Sequence, residues 1–115
     1  MGTLKMKENY RISIGSMIKM WSANEIRSVI DYKGKKIILL KPISDEEPLD
    51  NIICIDGNNI VWQVENVKKI YPNDKKMPYE NIFYHDGILT ASTFMGVGYD
   101  INPDTGKIIS SHIVK

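Results

Sequence analysis

Short apolar strands that meet at glycine-containing corners constrain the fold of this chain more than any other feature. Lys33-Gly34, Asp56-Gly57, Asp86-Gly87 and Thr105-Gly106 each separate two runs rich in β-branched residues. Gly, Asn and Asp tolerate the positive φ that tight hairpin turns require, and β-branched side chains favour extended strands. The chain is therefore predicted to be mostly β, as an antiparallel β-sandwich or open barrel of about 8–10 strands.

The segments between these hairpins are predicted to be further strands and loops. Residues 10–15 and 16–21 are strand-like, whereas 42–50 and 68–80 carry prolines and polar residues typical of loops. In 22–31, Ile26, Val29 and Ile30 have helical spacing, so at most one short helix is expected, and it is placed there. A chain of 115 residues suits a single β domain over 1–115.

Alternation of apolar and polar residues predicts the core. Ile60, Trp62 and Val64 fall on one strand face under the period-two rule, and the unbroken apolar run 37–40 indicates a strand covered on both faces. The expected core residues are Ile38, Leu40, Ile52, Cys54, Ile60, Trp62, Val64, Leu89 and Ala91.

The Gly106-Lys107 corner shares its dipeptide with phosphate-binding loops, but the other requirements fail. Such a loop needs a Gly five residues before the Gly-Lys pair and a Ser or Thr after it. Ile101 and Ile108 occupy those positions. A plain hairpin turn is predicted instead, with Pro103 setting φ and Gly106 taking positive φ.

Side chains suited to catalysis or metal binding are few. His85 and His112 are the only imidazoles and Cys54 is the only cysteine, so no intrachain disulfide can form. No catalytic residues, metal or cofactor are expected, because no nucleophile or ligand spacing accompanies the histidines. A weak enzyme using His85 and His112 as acid and base is a remaining alternative. The N-terminus has no apolar run long enough for a signal peptide or membrane span, which favours a cytoplasmic protein.

Charge is unevenly distributed along the chain although the formal net charge is only +1. Residues 1–43 hold nine Lys or Arg and three acids, whereas 44–115 hold six Lys and eleven acids. The acidic part predicts a surface for a basic partner. The basic part supports an alternative, a small nucleic-acid-binding β domain in which Tyr10, Trp21 and Tyr32 stack on bases.

Two resemblances follow from the hairpin sequences. "CIDGNNIVWQVE" and "DGILTASTFMGVGYDINPDTGKIIS" resemble the hairpins of pyrroloquinoline-quinone-type β-propeller blades, over roughly residues 51–115. The order of motifs also resembles that of small bacterial immunity proteins of contact-dependent growth inhibition and related toxin systems. The matching segments are 51–65, Pro78-Tyr79, 86–91, 99–108 and Lys115.

The second resemblance implies a non-catalytic, β-rich cytoplasmic protein that binds a cognate toxin, often a nuclease such as a ribonuclease, and occludes its active site. Nucleic acid, membranes and small-molecule substrates are not the expected partners. Carboxylates in loops would face the basic cleft of the toxin, and exposed tyrosines would supply apolar anchors. The expected partner-binding residues are Asp45, Glu46, Glu47, Asp50, Tyr79, Glu80, Tyr84, Asp86 and Tyr99.

Overall fold

The computed structural model describes residues 10–14, 17–21, 26–41, 50–57 and 59–113. These residues form ten strands and one short helix, which confirms the mostly β prediction. The elements are β1 (Tyr10–Ile14), β2 (Met17–Trp21), β3 (Ile26–Tyr32), β4 (Lys35–Leu40), β5 (Ile52–Asp56), β6 (Asn59–Gln63), α1 (Val67–Ile70), β7 (Tyr79–His85), β8 (Ile88–Thr93), β9 (Val97–Ile101) and β10 (Ile108–Ile113).

Two four-stranded antiparallel sheets form the body of the fold. Sheet I has the order β3-β4-β5-β6, and sheet II has the order β10-β9-β8-β7. In both sheets each strand pairs with its neighbour in the sequence, and tight two-residue turns at Lys33-Gly34 and Asp86-Gly87 connect β3 to β4 and β7 to β8. The strands β1 and β2 form a separate hairpin, and β1 approaches β6.

A shared hydrophobic cluster lies between the two sheets, so the architecture is a β-sandwich. Sheet I contributes Leu39, Cys54 and Trp62, and sheet II contributes Leu89 and Ile101. Burial of such side chains stabilises a sandwich by roughly 1.5–3 kcal/mol for each large one. The other members are Tyr32, Ile37, Ile52, Val64, Val67, Tyr79, Ala91, Tyr99 and Ile108.

The opposite face of sheet I is also apolar and buried, as the run 37–40 predicts. Ile26, Ile38, Leu40, Ile53 and Ile55 form a second cluster on that face. Because side chains alternate along β4 and β5, successive residues of each strand face the cluster between the sheets and the second cluster in turn.

Ile60 packs against the second cluster, so the prediction that it shares a strand face with Trp62 and Val64 is wrong. Trp62 lies opposite Cys54, but Ile60 lies opposite Ile55. Two steps along β6 thus match one step along β5, which makes Val61 the extra residue of a β-bulge. A bulge exchanges the faces of the residues that precede it.

The short helix lies at Val67–Ile70 and not in 22–31. Residues 26–32 form β3, because their β-branched side chains pair with β4, while 22–25 lie outside the described residues. Asn66 caps α1, with its Oδ1 accepting a hydrogen bond from the backbone N–H of Lys68 at 3.0 Å.

The β9–β10 turn closes one corner of the sandwich. The Trp62 Nε1–H donates to the Pro103 carbonyl at 2.9 Å, and the Glu65 N–H donates to the Gly106 carbonyl at 2.9 Å. Gly106 has φ +76°, and an added Cβ would lie 2.5 Å from Cε3 of Trp62. Backbone conformation and close packing therefore both require glycine here. The predicted plain turn is confirmed, and it also covers an indole ring.

Candidate functional site

An aromatic and charged surface lies where the ends of β3 and β7 meet the β9–β10 turn. We call it the Tyr84 surface and define it by Lys33, Tyr84, Asp86 and Asp104. Tyr84 is 40% exposed, and its ring packs at 5.4 Å from the buried ring of Tyr32. The exposed Phe83 precedes Tyr84 in β7. An exposed aromatic ring held by a buried one is pre-ordered for contact with another molecule.

The turns position the charged groups of this surface. Tyr32 is the last residue of β3, and its hydroxyl donates to Asp104 Oδ1 at 2.6 Å. That hydrogen bond, together with the positive charge of Lys33 at 3.6 Å, holds the pKa of Asp104 below its usual value. The same bond raises the pKa of the Tyr32 phenol. Asp104 is therefore ionised at neutral pH.

The structure places the predicted carboxylates in different surroundings. Asp86 is exposed in the β7–β8 turn, where Oδ2 lies 3.0 Å from His85 Nε2. Glu80 pairs with Arg27 at 2.7 Å, and Asp50 pairs with Lys76 at 3.2 Å. Burial raises the pKa of Asp50 although Lys76 opposes the shift. Asp45, Glu46 and Glu47 lie outside the described residues.

The expectation that Tyr79 and Tyr99 are exposed is wrong. They are 3% and 2% exposed, and both belong to the cluster between the sheets. Their rings meet edge to face at 6.0 Å, and the Tyr99 hydroxyl donates to Asp74 Oδ2 at 2.8 Å. Tyr99 faces inward because it lies opposite the buried Ala91 in the pairing of β8 with β9. Of the three predicted tyrosines, only Tyr84 can serve as an exposed anchor.

A carboxylate network that the sequence did not reveal lies on the outer face of sheet II. Asp100 accepts hydrogen bonds from Thr90 Oγ1 at 3.0 Å and Ser110 Oγ at 3.1 Å, and His112 Nε2 lies 3.1 Å away. Burial alone would raise the pKa of Asp100, but the bonds from His112, Thr90 and Ser110 together lower it. Thr90 and Ser110 lie opposite Asp100 on the two flanking strands, so only the strand register reveals this network.

The geometry of this network differs from that of a nucleophile and its base. Ser110 directs its hydroxyl to Asp100, and His112 binds the same carboxylate. In a catalytic pair the hydroxyl would donate to the imidazole. His85 and His112 also lie on β7 and β10, the opposite edges of sheet II. Three strand spacings separate them, or about 14 Å, so they share no acid–base site.

Three of the nine basic residues in 1–43, on which the alternative nucleic-acid hypothesis rests, have acidic partners within the described residues. Arg27 binds Glu80, Lys33 lies near Asp104, and Lys36 binds Asp31. Tyr32 is 6% exposed and cannot stack on a base. The side chains of Tyr10 and Trp21 lie outside the described part of the structure.

Metal-binding clusters and membrane-spanning helices are both absent from the described residues. No cluster of three or more His, Cys, Asp or Glu side chains there could hold a metal ion. Within the same residues no helix has the length and apolar character needed to cross a bilayer.

A groove of about 580 Å³ lies at the other end of sheet II from the Asp86-Gly87 turn. It opens between the loop 73–77, the β8–β9 turn and the end of β10. Its apolar lining comes from Met77, Met95, Val97 and Ile113, and its polar lining includes Asp74, Lys75, Ser111 and His112.

Comparison with known proteins gives a family and a similar fold. The model of a family described as a domain of unknown function, DUF7957, matches residues 3–113. The chain belongs to this family. No curated protein matches the chain.

Among solved structures, the chain is similar to "Crystal structure of the computationally designed Ika8 protein: crystal packing No.1 in P63", with a TM-score of 0.51 and 10% identity. The match covers 83% of this chain and 30% of the designed chain, so this chain spans less than a third of that length. At this identity the likeness concerns the fold alone.

Proposed function

We propose that this DUF7957 protein is a non-catalytic, cytoplasmic immunity protein that neutralises a cognate bacterial toxin by covering its active site. The toxin is proposed to be a nuclease, whose RNA-binding cleft would be basic. The observation that carries the proposal is the Tyr84 surface, where an exposed aromatic ring packs on Tyr32, whose hydroxyl binds the Asp104 carboxylate.

Tyr84 is suited to anchoring a protein partner. Tyr and Trp dominate the binding energy of many interfaces because they bury a large area with few rotatable bonds. Tyr84 rests on Tyr32, which is itself fixed by its hydrogen bond to Asp104. The Tyr84 side chain is therefore already ordered before binding, which lowers the entropic cost of association.

The carboxylates beside Tyr84 are suited to a basic partner. The side chains of Asp86 and Asp104 are 87% and 58% exposed, so each can accept an Arg or Lys from another protein. Such pairs mainly accelerate association and set the orientation of the complex. The acidic segment with Asp45, Glu46 and Glu47 adds further negative charge to the chain.

The proposal expects a C-terminal toxin domain to be encoded next to the gene of this protein, and the test measures inhibition of that domain and affinity for it. We expect the wild-type protein to inhibit RNA cleavage by the toxin. Tyr84→Ala is expected to weaken binding at least about tenfold, as for a typical aromatic anchor. Phe94→Ala is the matched control, because Phe94 is 81% exposed in the β8–β9 turn, away from the Tyr84 surface.

Charge reversals test the electrostatic part. Asp86→Lys, and Glu46→Lys combined with Glu47→Lys, should slow association at low salt and have less effect at high salt. Failure of the wild-type protein to inhibit the neighbouring toxin would contradict the function. Inhibition that Tyr84→Ala and Asp86→Lys leave unchanged would contradict the site alone.

A further inference from the structure

The strand β10 is an edge of sheet II whose sequence lacks the usual protection. Within the described residues β10 pairs with β9 alone. Its sequence, IISSHI, contains no Lys, Arg, Asp, Glu or Pro, although natural edge strands commonly carry Lys or Pro to prevent pairing with another chain. Ile109 and Ile113 are 54% and 73% exposed. By contrast, β7 at the other edge carries Glu80, which pairs with Arg27 of β3.

The register identifies which backbone groups of β10 are directed outward. The Ile108 N–H points away from β9, since it donates to Glu65 Oε1 at 3.0 Å. Ile108 lies opposite Ile101, and alternate β9 residues, Tyr99 and Val97, lie opposite Ser111 and Ile113. In an antiparallel pair, the backbone N–H and C=O groups of successive residues point alternately toward and away from the paired strand. Ser111 and Ile113 therefore present their N–H and C=O groups on the side of β10 that no described strand covers.

Ser111 and Ile113 of one copy can pair with the same two residues of a second copy that is related to the first by a two-fold axis. Two copies of β10 placed antiparallel, with the axis at His112, bring Ser111 of one copy opposite Ile113 of the other. Each pair can then exchange both N–H···O=C bonds, which is the hydrogen-bonded pair of an antiparallel ladder. The absence of Lys, Arg, Asp and Glu from β10 means that the two strands meet without repulsion between fixed like charges.

The surroundings of β10 suit a second copy of the chain. Ile113 lines the groove together with Met95 and Val97, and Met95 is 64% exposed. In the two-fold arrangement the Ile113 side chain of each copy approaches the Ser111 position of the other, beside this apolar lining. Closed two-fold pairing uses the same patch on both copies, so it ends at a dimer.

We propose that two copies of this chain associate through β10, which joins their sheets II into one eight-stranded antiparallel sheet. This interface is separate from the Tyr84 surface, which lies at the other end of sheet II. Each copy in the dimer therefore keeps a Tyr84 surface available for a partner.

Sedimentation of the full chain over a concentration series tests the association. We expect a monomer–dimer equilibrium that Ile113→Lys weakens at least tenfold, because it places cations next to the axis. Val61→Lys is the control, since Val61 is 44% exposed on sheet I and away from β10. A wild-type protein that stays monomeric, or a dimer that Ile113→Lys leaves intact, overturns the proposal.

Cysteine cross-linking tests the register independently of stability. Residues at 112 in the two copies form a non-hydrogen-bonded pair, whose Cβ atoms lie roughly 4.5–5.5 Å apart, close to disulfide range. His112→Cys should therefore give a covalent dimer on mild oxidation. Ser92→Cys is the control, because Ser92 lies on the same sheet face within the interior strand β8. Cross-linking that is equal in both variants, or absent from His112→Cys, overturns the proposal.

Discussion

The side-chain amide of Asn51 pairs with the backbone of Tyr79 in the way that a neighbouring strand would. Asn51 Nδ2 donates to the Tyr79 carbonyl, and Oδ1 accepts from the Tyr79 N–H, both at 2.9 Å. Nδ2 also donates to the Leu40 carbonyl at 2.8 Å. Asn51 precedes β5 of sheet I and Tyr79 begins β7 of sheet II, so one buried amide joins the two sheets.

Replacing Asn51 with Ala should lower the free energy of unfolding by roughly 2–4 kcal/mol, since three buried backbone groups lose their partner. Urea denaturation followed by circular dichroism measures the change. Asn81→Ala is the control, because Asn81 is exposed in β7. An equal and small loss for both variants would show that the Asn51 bonds contribute little.

Gly106→Ala and Gly87→Ala separate backbone strain from steric overlap. Both glycines have positive φ, +76° and +81°, but only a Cβ at Gly106 meets Trp62, whereas nothing lies within 4 Å at Gly87. We expect Gly87→Ala to cost about 1 kcal/mol of unfolding free energy. Gly106→Ala should cost a further ~1–3 kcal/mol from the overlap. Equal losses in thermal or urea unfolding would argue against tight packing on Trp62.

Removing the hydroxyl groups that bind Asp100 should reduce the amount by which the free energy of unfolding falls in acid. A carboxyl whose folded pKa lies below its unfolded value stabilises the fold above the unfolded pKa, and that contribution disappears as pH falls through the folded pKa. Asp100 has such a lowered pKa, against an ordinary value of 3.8. The combined change Thr90→Val and Ser110→Ala should therefore destabilise the fold at neutral pH more than at about pH 3.

Unfolding free energies of wild type and this variant at the two pH values test the prediction. Asp50 changes stability in the opposite direction. Because burial raises its pKa in the folded protein, protonation of Asp50 stabilises the fold as the pH falls. Asp50→Asn is accordingly the useful comparison and should steepen the loss of stability in acid. If the unfolding free energy falls equally in acid for the wild type and both variants, the pKa directions given for Asp100 and Asp50 are contradicted.

The Cys54 thiol should be unreactive in the folded protein. Cys54 is fully buried between the sheets, and burial raises its pKa to about 11, so little thiolate forms near neutral pH. We expect a thiol reagent to label it only in denaturant, or at the rate of unfolding. Because it is the only cysteine, labelling can be measured directly on the wild-type chain. Rapid native labelling would contradict this packing.

Local turn chemistry made much of the fold predictable from the sequence. Lys33-Gly34 and Asp86-Gly87 both adopt positive φ at two successive residues, as two-residue hairpin turns require. Eight of the nine expected core residues are buried, because alternation fixes which residues share a face. The exception, Ile60, is half-buried, and it changes face at a bulge that the sequence does not mark.

The candidate site was predictable only in part. Tyr84 and Asp86 are exposed because they lie at the end of a hairpin, which the sequence indicates. Alternation could not distinguish Tyr84 from Tyr79 and Tyr99, since the two buried tyrosines owe their burial to the opposing sheet. The Asp100 network depends on which residues lie opposite across three strands, and that register involves a bulge between Ile108 and Ser110.

The two apolar faces of sheet I have a consequence for how the molecule opens. Backbone amides of β4 and β5 lie between two buried clusters, so their exchange with solvent deuterium should require opening of the whole molecule. Amides of β10 lie at an edge beside exposed side chains and should exchange through local fraying. The edge strand β10 would then open before the two central strands of sheet I.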